Sequence, residues 1–426
     1  VTLLKTSILN AIAVGIRILS AMVLNKILAI YVGPAGYAVI GQFQSLVAML
    51  TTFASGAVNT GVTKRTAQYF DDEARQIATW RTAGTICILG GVLAGTFVIV
   101  LSVPLSAMVL GDGALWDVFL WLGFSLVLVA LNGLLLAIVN GKKQIGLFVL
   151  INIAGSVVGL ALISVLTARF GLRGALIALP LSQAVVFFVS AALCLRQPWL
   201  SPSMLYGRID SESLRELLKF TAMALTSAVV VPLTQIFIRH HLTKEFGSTS
   251  AGFWEALMRI SSLYLTVITV PLSVYFMPRL AEIRDASEMK REILHAFRLL
   301  VPLTVFGASA IYVLRDFIIA VLFTEEFAPM GNLFGWQMAG DVVKICGWLL
   351  GYVLLARGLA RPFIITEIVF GAVWYLLVVV TTAIFNVKGA PIAYFLTYCA
   401  YFIVLSAYLW SREPKDLNQS CHQAVK

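Results

Sequence analysis

The sequence predicts an all-α polytopic membrane protein, with twelve transmembrane helices in two parallel-repeat six-helix bundles around a central cavity. Three observations carry that prediction. Of the 426 residues, 60% are hydrophobic and 12% charged, against roughly 45–50% and about 25% in soluble domains; mean hydropathy is +0.92. Charge this sparse cannot coat a soluble protein of this length. Apolar runs close to the ~20 residues a span needs recur twelve times along the chain. The chain also repeats itself once, at an offset near 215 residues.

The runs lie near Thr6–Tyr31, Gly36–Gly61, Thr82–Leu110, Leu115–Gly141, Ile145–Ala168 and Gly174–Leu195 in the first half. In the second half they lie near Leu217–Leu242, Gly252–Pro278, Ala296–Phe323, Gly331–Arg357, Pro362–Phe385 and Ala390–Ser411. The first run lacks a small-residue cleavage site and is expected to be a retained span, and the absent initiator Met points to a trimmed start. Four of the five cysteines lie inside apolar runs and no CxxC spacing occurs, so neither a disulfide framework nor a metal site is expected.

Loop charge sets the expected orientation. With the N-terminus in the cytoplasm, 21 of the 31 basic residues fall in cytoplasmic links and six in external ones (Arg169, Arg173, Arg239, Lys244, Arg315, Lys388). Such a bias predicts that both termini are cytoplasmic. The net charge of +10 is thereby a topology signal, and no nucleic-acid partner is expected.

Phe170-Gly-Leu-Arg-Gly-Ala-Leu-Ile-Ala178 matches Phe385-Asn-Val-Lys-Gly-Ala-Pro-Ile-Ala393, and Ala35-Gly-Tyr37 matches Ala251-Gly-Phe253. An offset of six spans keeps both copies in one orientation, the parallel-repeat arrangement of two-lobed transporters. The expected organisation is an N-terminal bundle 1–196, a cytoplasmic linker 197–216, a C-terminal bundle 217–411 and a cytoplasmic tail 412–426. The linker's second part reads either as an interfacial amphipathic helix or as a plain solvated connection.

Ionisable residues within spans cost about 2.5–3.5 kcal/mol each on insertion scales. They are Arg17 and Lys26 in span 1, Glu255 and Arg259 in span 8, Asp341 and Lys344 in span 10, and Glu367 in span 11. Arg17 lies roughly 15 Å inside its span, on a face with Ala13 and Ser20. Lys26 is close enough to the outer interface to snorkel. Glu255 and Arg259 (i,i+4) and Asp341 and Lys344 (i,i+3) share helix faces and read equally as local structural pairs. Gln42, Asn59, Asn132, Asn152, Gln235 and Tyr264 read either as the lining of a sugar passage or as interhelical hydrogen bonders. No Walker-type, GxSxG or HExxH motif occurs, so no enzyme, cofactor or ATP-driven activity is expected.

Gly33-Pro-Ala-Gly36, Ala251-Gly-Phe-Trp254, Ser273-Val-Tyr-Phe-Met-Pro278 and Trp336-Gln-Met-Ala-Gly-Asp-Val-Val-Lys344 resemble, in order and spacing, the Wzx-type bacterial polysaccharide flippases. The likeness is strongest to the lipid III flippases of enterobacterial common-antigen synthesis, in the multidrug/oligosaccharidyl-lipid/polysaccharide exporter superfamily. It implies a bacterial inner-membrane flippase that moves undecaprenyl-diphosphate-linked oligosaccharide to the periplasmic leaflet by alternating access. Polysaccharide polymerase and chain-length proteins are the implied partners beside membrane lipids. Arg17, Lys26, Arg259 and Lys344 then fall where a basic cavity holds the diphosphate, and Asp341, Glu367 and Glu255 become ion-coupling candidates. A small-molecule drug antiporter of the same superfamily is the alternative.

Overall fold

A computed structural model of the chain describes residues 3–411 apart from 273–275, 277–278, 281–282, 284 and 358. The expected tail 412–426 and most of the Ser273–Pro278 motif lie outside the described residues. Ten long helices are numbered here: α1 Leu3–Ala54, α2 Asn59–Gln68, α3 Glu73–Val100, α4 Trp116–Gly141, α5 Ile145–Cys194, α6 Ser211–Pro271, α7 Ala286–Val313, α8 Phe334–Ala356, α9 Ala360–Phe385 and α10 Gly389–Ser411. Among the described residues there is no strand. Seven stretches are long and apolar enough to cross a membrane, and the longest of them hold two spans each.

Glycines separate those spans. Helices α1, α5 and α6 each contain one non-helical residue, Gly33 (φ 68°), Gly171 (φ 57°) and Gly247 (φ 84°). A side chain is costly at these positive φ values, so glycine marks each tight interhelical turn. Cutting the three helices there, and setting aside the ten-residue α2, yields twelve helices, the number of predicted spans.

The internal repeat is written into these turns. Gly171 (φ 57°, ψ −136°) and its repeat partner Asn386 (φ 53°, ψ −144°) share one backbone conformation. Three residues on, a Cβ on Gly174 would collide with the carbonyl of Leu166, and a Cβ on Gly389 with the backbone of Thr381. All three pairs are 215 residues apart, so the hairpin after span 5 is rebuilt after span 11.

Two compact units result, Val1–Pro232 and Leu233–Lys426. In the first, Trp80, Tyr37, Phe43, Phe119 and Leu122 are fully buried. Helices α3 and α4 approach across glycines: a Cβ on Gly95 would sit 2.6 Å from the Gly123 carbonyl, and one on Gly91 2.8 Å from Val127 Cα. Small residues at membrane helix contacts permit that backbone proximity. The second unit's core joins α6, α7 and α8 through Leu265, Ile268, Met289, Ala296, Leu300, Ile345 and Leu349.

Several spans differ from their sequence bounds. Span 2 reads as Gly36–Gly61, but α1 ends at Ala54 and α2 starts at Asn59. Span 3 reads as Thr82–Leu110, but α3 starts at Glu73, capped by Asp72, and ends at Val100. The remainder, Ser102–Leu110, is a separate turn containing Pro104. Span 9 reads on to Phe323, but α7 ends at Val313 and a short helix, Arg315–Leu322, follows. Through Ser102–Leu110 the apolar run continues past the break, so hydropathy alone does not see it; in span 9 the charged pair Arg315-Asp316 marks it.

The linker is a docked segment. Ser203 accepts from Arg81 (3.3 Å), Gly207 accepts from the Thr85 hydroxyl (3.0 Å), and the Asp210 amide donates to Thr82 (2.9 Å). Trp199 packs edge-on to Trp80, and Lys142 lies over the faces of both rings. Asp210 then accepts from the amide of Ser213 (2.7 Å), starting α6.

Candidate functional site

The polar groups of the second unit gather in two clusters. The first lies on α6, on either side of its Gly247 turn. Glu255 is buried and takes one arginine on each oxygen: Arg239 Nη1 at 2.7 Å and Arg259 Nε at 3.1 Å. Arg259 comes from the next helical turn, as the i,i+4 spacing predicts. Arg239 comes from the preceding arm, sixteen residues away, and stacks over Trp254 with its guanidinium carbon 5.9 Å from the ring centroid. The three side chains are 3%, 8% and 16% exposed for Arg239, Glu255 and Arg259. The triad carries one net positive charge.

Arg239 thus corrects the sequence reading, which put it in an external link. It is a buried arginine inside α6, and its presence there is explained by Glu255, a partner that only the folded hairpin supplies.

The second cluster is built on one face of α8. Gln337, Asp341, Lys344 and Trp348 recur at helical spacing and form a stripe. Opposite it, α10 presents Tyr394, Tyr398 and Tyr401 at matching intervals. Glycines on α8 let the tyrosines close in: a Cβ on Gly340 would collide with the Tyr394 ring, and one on Gly347 would lie 2.6 Å from Tyr401 Cδ1.

Asp341 is fully buried. Its carboxylate accepts from Tyr394 (2.7 Å), Tyr264 (2.9 Å) and, more weakly, Gln337 (3.5 Å). A buried carboxylate is tolerable only when so satisfied. Lys344 makes no ion pair with Asp341 among the described residues. Its ammonium is instead enclosed by three rings, with centroids at 4.8 Å (Trp348), 5.2 Å (Tyr398) and 5.3 Å (Tyr394). Cation–π attraction strengthens where water is excluded. Both Asp341 and Glu367 act on Lys344 electrostatically. Two carboxylates around one ammonium leave this cluster with one net negative charge when all three ionise.

Two sets of contacts lie between α6 and the second cluster. Gln337 donates to Ser261 (3.2 Å) on α6 and to Asp341. A ladder of rings runs from Trp254 through Trp374 (6.3 Å) to Tyr394 (5.6 Å).

In the first unit, Arg17 is exposed on α1 and Lys26 is half-buried nine residues on. Helical geometry puts these two on different faces. Next to Lys26, Asn25 is buried and its carbonyl accepts from Tyr37 across the Gly33 turn (2.7 Å). Of the seven sequence candidates, the fold therefore brings together Glu255 with Arg259, and Asp341 with Lys344 and Glu367. Sequence reasoning missed the aromatic cage, although the Tyr394, Tyr398 and Tyr401 stripe was a legible signal.

The model of a family described as polysaccharide biosynthesis protein matches residues 27–332. The lipid III flippases of Escherichia coli (strain K12) and Shigella flexneri are each 28% identical over 416 residues, covering 96% of this chain and 99% of theirs. Among solved structures, an inward-facing MATE family transporter of the MOP superfamily aligns with a TM-score of 0.76 at 14% identity, over 93% of this chain and 95% of that one. An outward-facing MATE transporter aligns at 0.72 and 15% identity, over 97% and 96%. The twelve-helix fold is that of these exporters.

Proposed function

The chain belongs to the polysaccharide biosynthesis protein family, and on that premise we propose that it flips an undecaprenyl-diphosphate-linked oligosaccharide from the cytoplasmic to the periplasmic leaflet of the bacterial inner membrane. The single observation that carries this reading is near full-length similarity to lipid III flippases. Both termini lie in the cytoplasm, bundles 1–196 and 217–411 alternate in exposing the substrate, and 197–216 links them. The product passes to polysaccharide polymerase and chain-length proteins. The protein is a transporter and not an enzyme.

The charge arithmetic of the second unit suits this task. A diphosphate needs cationic hosts, and arginine pairs with phosphate oxygens in bidentate fashion. The Arg239–Glu255–Arg259 triad sets two cations against one carboxylate, and Arg17 and Lys26 supply positive charge in the first unit. Cluster Asp341–Lys344–Glu367 has the opposite excess, so one proton or monovalent cation neutralises it. We assign the diphosphate to Arg17, Lys26 and Arg259, with Lys344 the hinge between substrate charge and coupling ion. Asp341 and Glu367 take the ion, and Glu255 sets the charge of the triad. An antiporter of small organic cations would use only the negative cluster and would leave the triad without a role.

Proteoliposomes loaded with lipid III test the proposal. Wild type is expected to move it between leaflets. Arg17→Ala and Lys344→Ala are each expected to slow it about 10- to 100-fold, the worth of one charged hydrogen bond. Wild-type rates in both variants would remove the cationic site from the mechanism.

A further inference from the structure

We propose that the first unit contains a carbohydrate subsite, a pocket at mid-depth between α4 and the two arms of α5 that takes one sugar residue of the lipid-linked substrate. The inference rests on the flippase reading and extends it from the diphosphate to the saccharide.

The pocket has a volume of about 240 Å³ and involves three helical faces, each with a helical i,i+4 repeat. Asn132 comes from α4, Asn152 and Ser156 from the first arm of α5, and Ser182 and Gln183 from the second. Asn132 lies nine residues from Gly141, Ser156 eleven from Ile145, and Gln183 eleven from Cys194. At 1.5 Å per residue these positions are all about 14–16 Å from the same ends of their helices. That is the middle of a hydrocarbon layer about 30 Å thick. Five polar side chains there are expensive unless something pairs with them.

Their own hydrogen bonds leave much of their capacity unused. The Asn132 carbonyl oxygen is buried without a partner. Asn152 donates one N–H to Phe148 (2.8 Å), which leaves its carbonyl available. Ser156 and Ser182 donate their protons to Asn152 and Leu179 (2.9 Å each), so their oxygens remain as acceptors. For Gln183, no hydrogen bond exists among the described residues. The site therefore offers many acceptors with a few amide donors, over an apolar floor of Leu136, Ile151 and Val186.

That is the complement of a pyranose, whose hydroxyls donate and accept around an apolar ring face. No charged side chain lines the pocket, so it offers nothing to the diphosphate or to an organic cation. Its volume far exceeds the need of one monovalent ion. It falls below the roughly 300–1,000 Å³ of drug-sized sites, a scale that suits a single sugar ring.

The test compares two cargoes in proteoliposomes, lipid III and sugar-free undecaprenyl diphosphate, for wild type, Gln183→Ala and Asn152→Ala. Gln183 is exposed and its truncation threatens the fold least; the melting temperature of each variant in detergent is measured alongside. Each variant is expected to slow lipid III flipping about three- to tenfold, the worth of a neutral hydrogen bond, while handling of the sugar-free carrier stays at the wild-type level. Wild-type rates on lipid III in both variants overturn the subsite and leave the flippase reading standing. Equal slowing of both cargoes overturns it as a packing effect. Loss of a Na⁺ dependence in the variants, with the cargo preference unchanged, overturns it in favour of a cation site. Failure of the wild type to flip lipid III counts instead against the flippase reading.

Discussion

Replacing Glu255 by Gln tests the charge balance of the α6 hairpin most directly. The carboxylate is the anion shared by two arginines, at 2.7 Å and 3.1 Å. Glutamine keeps the shape and one acceptor oxygen but removes the anion that the two arginines share. At an effective dielectric near 20, each unit-charge contact at ~4 Å is worth about 4 kcal/mol. Breaking a buried pair by removing one partner costs about 3–5 kcal/mol. Removing one arginine is milder, because Arg239→Met or Arg259→Met leaves a neutral Glu–Arg pair behind. The expected order of melting temperatures in detergent is wild type, then Arg259→Met, then Arg239→Met, with Glu255→Gln lowest. Arg239→Met stands below Arg259→Met because Arg239 is the more buried, at 3% against 16% exposure. At about 2–4 °C per kcal/mol for a unit of this size, Glu255→Gln should lie about 6–20 °C below wild type. The double variant Glu255→Gln/Arg239→Met should recover part of that loss, since it removes one stranded cation. A Glu255→Gln protein that melts no lower than Arg259→Met, or a double variant lower than both singles, refutes the reasoning.

Four further outcomes follow from the geometry. Tyr394→Phe removes the 2.7 Å hydrogen bond to buried Asp341 and should cost about 1.5–3 kcal/mol in a denaturation experiment. Gly340→Ala drives a methyl group into the Tyr394 ring, so it should destabilise as well and its loss should not add to that of Tyr394→Phe. Asn386→Gly relieves a non-glycine residue at φ 53° and should raise the melting temperature by about 2–4 °C, for roughly 1 kcal/mol of relieved strain; Gly171→Ala should lower it. Asp210→Ala deletes the cap of α6 and should raise hydrogen exchange at Ser213 about fivefold, for a cap worth ~1 kcal/mol. Hydrogen bonds from Ser213 hold the Asp210 carboxyl below the usual range. Its contribution is therefore complete above the ordinary Asp value and lost only as pH falls through the lowered one. The wild-type advantage over Asp210→Ala should accordingly be constant from pH 8 to pH 5 and vanish at strongly acid pH.

Much of the fold was legible because membrane insertion acts on local sequence. An apolar run of sufficient length must be a helix in hydrocarbon, whatever its neighbours, so the twelve spans could be counted. The repeat was legible because Gly171, Gly174 and their partners Asn386 and Gly389 occupy backbone positions with little tolerance for other residues. Span ends were less so: Ser102–Leu110 continues the apolar run of α3 unmarked, whereas the charged pair Arg315-Asp316 marks the break of α7 at Leu314. Within the candidate site, the i,i+4 pairing of Glu255 with Arg259 was readable from spacing.

Amino-acid order by itself determined the helices, their number and the duplicated plan, and it marked charges inside apolar runs, though not Arg239. These follow from local free energies: burial of apolar runs, the conformational freedom of glycine, and the cost of charge in hydrocarbon. Only the tertiary structure decided which partners those charges find. Arg239 meets Glu255 because a glycine turn folds one arm of α6 back on the other. Lys344 meets three aromatic rings because Gly340 and Gly347 let α10 lie close against α8. Asn132 is left with an unpaired carbonyl in the pocket between α4 and the two arms of α5. Pairing energies depend on distances between residues remote in sequence, and helical periodicity fixes a residue's face without fixing what the face touches.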